Sequence, residues 1–298
     1  MRRAAASAAR GFTLIELVTV ITLSAILSVV VWRNISLPIR AFSDITRRAE
    51  AVATAQLAME RMAREIRLAL PNSLRVSGDG SAIELLRTSS SGRYRAELNP
   101  SDASTDALNL SASSDTFQVL GGWSMPAGLR TGSGLPQCLA GTADCLAIYN
   151  TGSPATCSSQ TAGTRTNAWC GDNLAGILSA NSTTGVVSAS RASAGTAWPT
   201  GSPQQRFYVV DTALSFVCAG GMLRRYSGYA IASTQPVPPA VTGALLADHI
   251  GACTFSYEAG SASRAGLLSI QLTLSYSTPD ETTEQLSLLE QVHVPNSP

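Results

Sequence analysis

The sequence predicts an α+β fold: a long N-terminal helix, membrane-spanning over its first part and packed on an antiparallel β-sheet, with a loop-rich, disulfide-stapled insertion. Three observations carry this. An apolar run from Phe12 to Trp32 passes without a turn signal into a three-and-four periodicity that ends at Pro71. Leu268, Ile270, Leu272, Leu274 and Tyr276 alternate strictly with Ser269, Gln271, Thr273 and Ser275, one face for a core and one for water. Between these, residues 99–205 combine Ser, Thr, Gly and Ala with four of the chain's six cysteines.

Composition narrows the function classes. The 298 residues suit one or two folded units. Charged residues are only 14%, against about a quarter in ordinary domains. The 21 basic residues are all arginine, and 20 acids leave a formal charge of +1. A balanced chain of this kind is not built to coat nucleic acid, and no nucleic-acid partner is expected. The two histidines, His249 and His293, lie far apart and outside any metal-ligand spacing, so no metal or other cofactor is expected.

Residues 1–11, MRRAAASAARG, carry Arg2, Arg3 and Arg10 and no acid. They read as a leader held on the cytoplasmic side by the positive-inside rule. Residues 12–32 are apolar or small except for Glu16. At about 1.5 Å per residue they cross roughly 30 Å, one bilayer core. A cleavable secretory signal fits poorly: the run is long for one, and no small-x-small site ends it. Residues 33–70 continue as an amphipathic helix, with Phe42, Ile45, Ala49, Val52, Gln56, Met59, Ala63, Ile66 and Leu70 on one face. Span and amphipathic part together form a rod about 85 Å long. Pro38 removes a backbone donor and is expected to kink or loosen it. Arg61, Arg64 and Arg67, interleaved with Glu60 and Glu65, read as a solvated face.

Glu16 is the anomaly of the span. A carboxylate in hydrocarbon costs at least a few kcal/mol unless paired, roughly 2.5–3.5 on insertion scales. No cation lies at its depth in the intact sequence. A cut between Gly11 and Phe12 would create one, the α-amino group of Phe12, available to the Glu16 of a staggered neighbour.

Residues 71–298 form the β-rich head. Residues 74–77 and 82–87 flank the Gly78-Asp79-Gly80 turn signal. Residues 116–120 and 145–149 are short strand candidates. A meander follows at 207–210, 213–218 and 222–231, turning at Ala219-Gly220-Gly221. Residues 286–294 return beside 268–276 in the last pair of the same sheet. Charges in 99–205 are sparse, and Trp123, Trp169 and Trp198 argue against a mere linker. The cysteines suit an oxidising compartment. Six allow 15 pairings. The favoured set is Cys138–Cys145, Cys157–Cys170 and Cys218–Cys253, the last because both partners sit in strand-like segments of the final sheet. No C-x-x-C suggests a metal site instead.

Catalytic signatures are missing: the sequence holds no G-x-S-x-G and no phosphate-binding P-loop, and nothing sets either histidine beside a nucleophile. No catalytic residue is assigned, and the chain is not expected to be an enzyme.

Gly11-Phe12-Thr13-Leu14-Ile15-Glu16, behind a short basic leader, resembles the class III signal of type IV pilins and pseudopilins. The resemblance implies a pilin fold, cleavage between Gly11 and Phe12 by a prepilin peptidase, N-methylation of Phe12, and docking guided by Glu16. The segments 59–67 and 70–76, with Arg206-Phe207-Tyr208-Val209-Val210 and Met222-Leu223-Arg224-Arg225-Tyr226, resemble large minor pilins, most closely those of the mannose-sensitive haemagglutinin (MSHA) pilus. The resemblance does not extend to residues 99–205. The resemblance implies a single-pass inner-membrane precursor with a periplasmic head, later part of a pilus. Implied partners are major and minor pilins, the peptidase and the inner-membrane assembly platform. The implied role is assembly initiation or a tip complex. The alternatives are a J-type minor pseudopilin of type II secretion, or a tip adhesin that binds a surface through the 99–205 insertion.

Overall fold

The computed structural model describes residues 11–98, 106–152, 157, 165–191, 197–261, 264–277 and 283–298. The chain divides into two units, Met1–Val52 and Ala53–Pro298, with the boundary inside the first helix.

Helix α1 spans Leu14–Ile66, and its helical assignment continues through Pro38. In the first unit the large apolar side chains described between Leu14 and Ile45, Phe42 included, are exposed. In the second unit Ala55, Ala58, Met59, Met62, Ala63 and Ile66 are buried, a stripe at three- and four-residue steps. Gln56, assigned to the apolar face from the sequence, is exposed instead, and its neighbour Ala55 takes the place. The helix also ends short of Leu70. Leu68 and Ala69 donate to Glu65 and Ile66 in tightened last turns (3.1 and 3.0 Å). The chain then pairs with residues 86–88: Leu70 N–H reaches the Leu86 carbonyl at 2.7 Å, and Thr88 N–H reaches that of Leu68 at 2.8 Å.

Twelve strands follow among the described residues. Those of the larger sheet are β1 Arg75–Val76, β2 Ala82–Tyr94, β3 Ser114–Leu120, β4 Cys145–Ile148, β5 Leu174–Asn181, β6 Val186–Ser190, β7 Arg206–Ala219, β8 Met222–Tyr229 and β9 Ala244–Ala247. The smaller sheet contains β10 Ile250–Glu258, β11 Gly266–Ser277 and β12 Thr283–Val294. A short helix α2, Leu135–Leu139, lies between β3 and β4.

The larger sheet runs β1-β2-β3-β6-β5-β4-β7-β8-β9, and β2 also pairs with β7. That extra pairing closes six strands, β2, β3, β6, β5, β4 and β7, into a ring. One buried cluster takes residues from all six, among them Tyr94, Phe117, Val187, Ile177, Ile148 and Phe207, and so fills the interior. Phe117 and Trp123 meet Phe207 edge-on, with centroids 5.6 and 5.7 Å away. Gly92 of β2 makes room for this: a Cβ there would sit 2.7 Å from the Phe207 ring. A second cluster covers the opposite face of β4 and β7, with Cys145, Ala147, Val210 and Val217 packed with Trp169 and Tyr226.

This corrects the expectation of a loop-rich insertion. Residues 99–205 supply β3, β4, β5 and β6, four of the six ring strands. Their small residues suit a narrow closed interior, where Ala175, Ile177, Val187 and Ala189 are buried.

The single antiparallel sheet expected from the sequence is likewise two. Strands β10-β11-β12 form a separate antiparallel sheet. Leu274 of β11 faces Leu286 of β12, and the buried face of β11 carries Leu268, Ile270, Leu272 and Leu274. The body is α+β, yet richer in sheet than the pilin fold that the N-terminal resemblance implied. Three disulfides join Cys138 to Cys145, Cys157 to Cys170 and Cys218 to Cys253, the same pairs as the favoured set. The reason given for the last pair needs correction. Cys218 lies in β7 and Cys253 in β10, so this disulfide ties one sheet to the other.

Candidate functional site: the N-terminal processing and anchoring segment

Helix α1 begins with a cap. Leu17 N–H donates to the Thr13 carbonyl at 3.1 Å, and Glu16 N–H donates to Thr13 Oγ1 at 3.4 Å. Thr13 is thus the N-cap, and Glu16 stands at the third helical position of a T-x-x-E spacing. An acid in the first turn also lies toward the positive end of the helix dipole. The sequence reading missed this cap, although Thr13-x-x-Glu16 ahead of an apolar run is its recognised signal. Gly11 and Phe12 precede the helix, and Phe12 is 81% exposed. A Cβ on Gly11 would meet nothing within 4 Å, so no contact among the described residues requires glycine there.

Leu14–Ile35 is long and apolar enough to cross a membrane. Four of its polar side chains donate to the helix's own carbonyls. Thr19 donates to Glu16 O at 3.0 Å, Thr22 to Val18 O at 3.0 Å, Ser28 to Ser24 O at 2.7 Å and Asn34 to Val30 O at 2.8 Å. Hydroxyls whose donors are satisfied in this way can face lipid at reduced cost.

The head's ionisable side chains form paired networks. Glu84 of β2 is fully buried, accepts from Arg75 Nε at 2.6 Å and from the Tyr229 hydroxyl at 2.9 Å, and its carboxyl is pushed up by burial against the pull of Arg75. Burial also pushes the Tyr229 phenol up. Arg87 forks onto Asp211 (3.1 and 2.6 Å), Arg130 pairs with Asp144 (2.7 Å), and Arg165 with Asp172 (2.8 Å). Burial raises the Asp144 and Asp172 carboxyls and pulls buried Arg191 down to about 10. Exposed Asp79 is held at about 2 by hydrogen bonds from Ser77 and Ser81 in its turn. No group of His, Cys, Asp and Glu among the described residues could hold a metal ion. His249, beside Asp248 at 2.9 Å, is exposed between β9 and β10, and His293 lies in β12. The six cysteines are all consumed in disulfides.

Residues 6–32 match the prokaryotic N-terminal methylation motif. The match supports a type IV pilin-like protein, pilin or pseudopilin, that is processed at a class III prepilin signal. It points to a structural subunit, and it implies processing by a prepilin peptidase and assembly with other pilins. The apolar helix that carries it fits membrane anchoring. No curated protein matches the chain, and no solved structure does.

Proposed function

We propose that the chain is a minor subunit of a type IV pilus of the MSHA kind, similar to MshO, acting in assembly initiation or in the tip complex. The MSHA part of this reading rests on the resemblance of the segments 59–76 and 206–226, and the observation that carries its pilin-like part is a single constellation. Gly11 and Phe12 precede, and Thr13 and Glu16 cap and begin, a long helix with exposed apolar side chains, inside the segment that matches the methylation motif. Cleavage after Gly11 frees the Phe12 amine, which is then N-methylated. The free space around Gly11 supports a requirement set by the peptidase, not by the chain's own packing. The precursor stays in the inner membrane with a periplasmic head. On assembly the apolar helix exchanges lipid contacts for neighbouring helices, and Glu16 pairs with the Phe12 amine of an adjacent subunit, which selects one axial stagger. The large head suits a low-copy position, since a head of this size crowds a helical shaft.

Mass and N-terminal sequence of the protein from isolated filaments test this. Methylated Phe12 at the N-terminus is expected. A start at Met1, or anywhere downstream of Trp32, overturns it. The J-type pseudopilin reading shares every N-terminal residue. It predicts that deleting the chain abolishes protein secretion and leaves pili intact. The adhesin reading needs surface substitutions as its test, because deleting 99–205 would remove β3–β6 from the ring.

A further inference from the structure

Where the second part of α1 approaches β9, a groove of about 590 Å³ is lined by Leu57, Arg61, Arg64, Glu65, Leu245 and Leu246. Its apolar lining is open to water: Leu57 is 63% and Leu245 50% exposed. Its acid is already engaged. Arg225 Nε of β8 donates to both oxygens of Glu65, at 3.0 and 2.8 Å. Arg61 reaches the same carboxylate only at 3.5 Å, and Arg64 makes no ion pair among the described residues. In a chain of net charge +1, the groove therefore concentrates two guanidiniums without a full counter-charge beside exposed leucines. Strand β9 has one neighbour, β8, so the sheet ends here.

We propose that this groove docks an acidic segment of a neighbouring filament subunit, one in which carboxylates alternate with aliphatic side chains. The proposal rests on the filament reading above. Leucines on the floor supply apolar contact, and Arg61 and Arg64 supply planar forks that take a carboxylate through two parallel bonds. An uncharged apolar partner would leave the guanidiniums desolvated and unpaired, and a basic one would be repelled.

The test uses the full chain in cells, with a photo-crosslinking phenylalanine analogue in place of Leu57. After irradiation, filaments are isolated and the adduct is mapped by mass spectrometry. An adduct on an Asp- or Glu-bearing segment of another prepilin-type subunit is expected. Arg64→Glu should lower both adduct yield and incorporation about tenfold, and Arg64→Lys by less, because it keeps the charge and loses the fork. The urea midpoint of Arg64→Glu should match the parent, which separates docking from folding. An adduct on lipid, on a second copy of this chain or on an uncharged segment overturns the proposal, as does full incorporation of Arg64→Glu. Filaments that lack the parent chain altogether sink the filament reading itself, whereas filaments holding parent and Arg64→Glu equally sink only the groove.

Discussion

Arg75→Met tests the buried network that joins the first hairpin to the rest of the head. Arg75 meets Glu84 at 2.5 Å and donates to the Ser233 and Ala232 carbonyls at 2.7 and 2.9 Å. Its guanidinium also lies 3.8 Å from the centroid of Trp169. Methionine keeps much of the aliphatic stem and leaves Glu84 buried without its cation. Removing one member of such a pair costs about 3–5 kcal/mol, and the lost stacking adds about 0.5–1. The pH dependence has a definite sign. The folded Glu84 carboxyl already lies above its ordinary range because of burial, with Arg75 opposing. Without Arg75 it rises further. A carboxyl raised on folding contributes stability at low pH that is lost as pH climbs through the folded value. The deficit of Arg75→Met should therefore be largest at pH 8 and shrink toward pH 5. Urea unfolding of the full chain in mild detergent, followed by tryptophan fluorescence, measures it. Adding Glu84→Gln to Arg75→Met should recover part of the loss at pH 8. An equal deficit at both pH values, with no recovery in the double variant, would refute the reasoning.

Gly11→Val should leave uncut precursor in the membrane, seen as a mass higher by the leader, and normal processing would contradict the assigned boundary. Glu16→Ala should still be cut but should enter filaments poorly, and undiminished incorporation would remove the charge-pair argument. Replacing Cys218 and Cys253 by serine opens the disulfide between the sheets, whose partners are 35 positions apart. On the chain-entropy model this costs about 3–4 kcal/mol, so limited proteolysis should cut the head faster while membrane retention is unchanged.

The parts of this fold that depend on local pattern were readable in the sequence. The alternation of Leu268 to Tyr276 is β11, and Gly78-Asp79-Gly80 and Ala219-Gly220-Gly221 are the turns of two hairpins. What was not readable is non-local. Ring closure requires β2 to find β7, and neither strand advertises which of its edges is free. Strands such as Val186–Ser190 are built from small residues and lack the bulky alternation that marks β11. The sparse charges of 99–205 looked incidental, yet exposed Arg130 pairs with buried Asp144, and Arg165 pairs with Asp172 in a largely buried setting. The end of α1 moved because backbone groups at Leu68 and Leu70 are claimed by β2, a tertiary contact that periodicity cannot foresee. At the N-terminus the apolar span and the motif over residues 6–32 are local patterns, and the capping role of Thr13 was overlooked.

The closed ring also sets how far apart in the chain its partners lie. Arg87 and Asp211, joined across β2 and β7, stand 124 positions apart. A contact of such sequence separation slows closure, because β2 meets its partner only across a long loop. The cystines at separations of 7 and 13 fall within that interval and shorten the search. Three loops of increasing span are thus nested in one head: cystines closing 7 and 13 positions inside the segment that the ring must enclose, and a cystine closing 35 that fastens the C-terminal sheet to it.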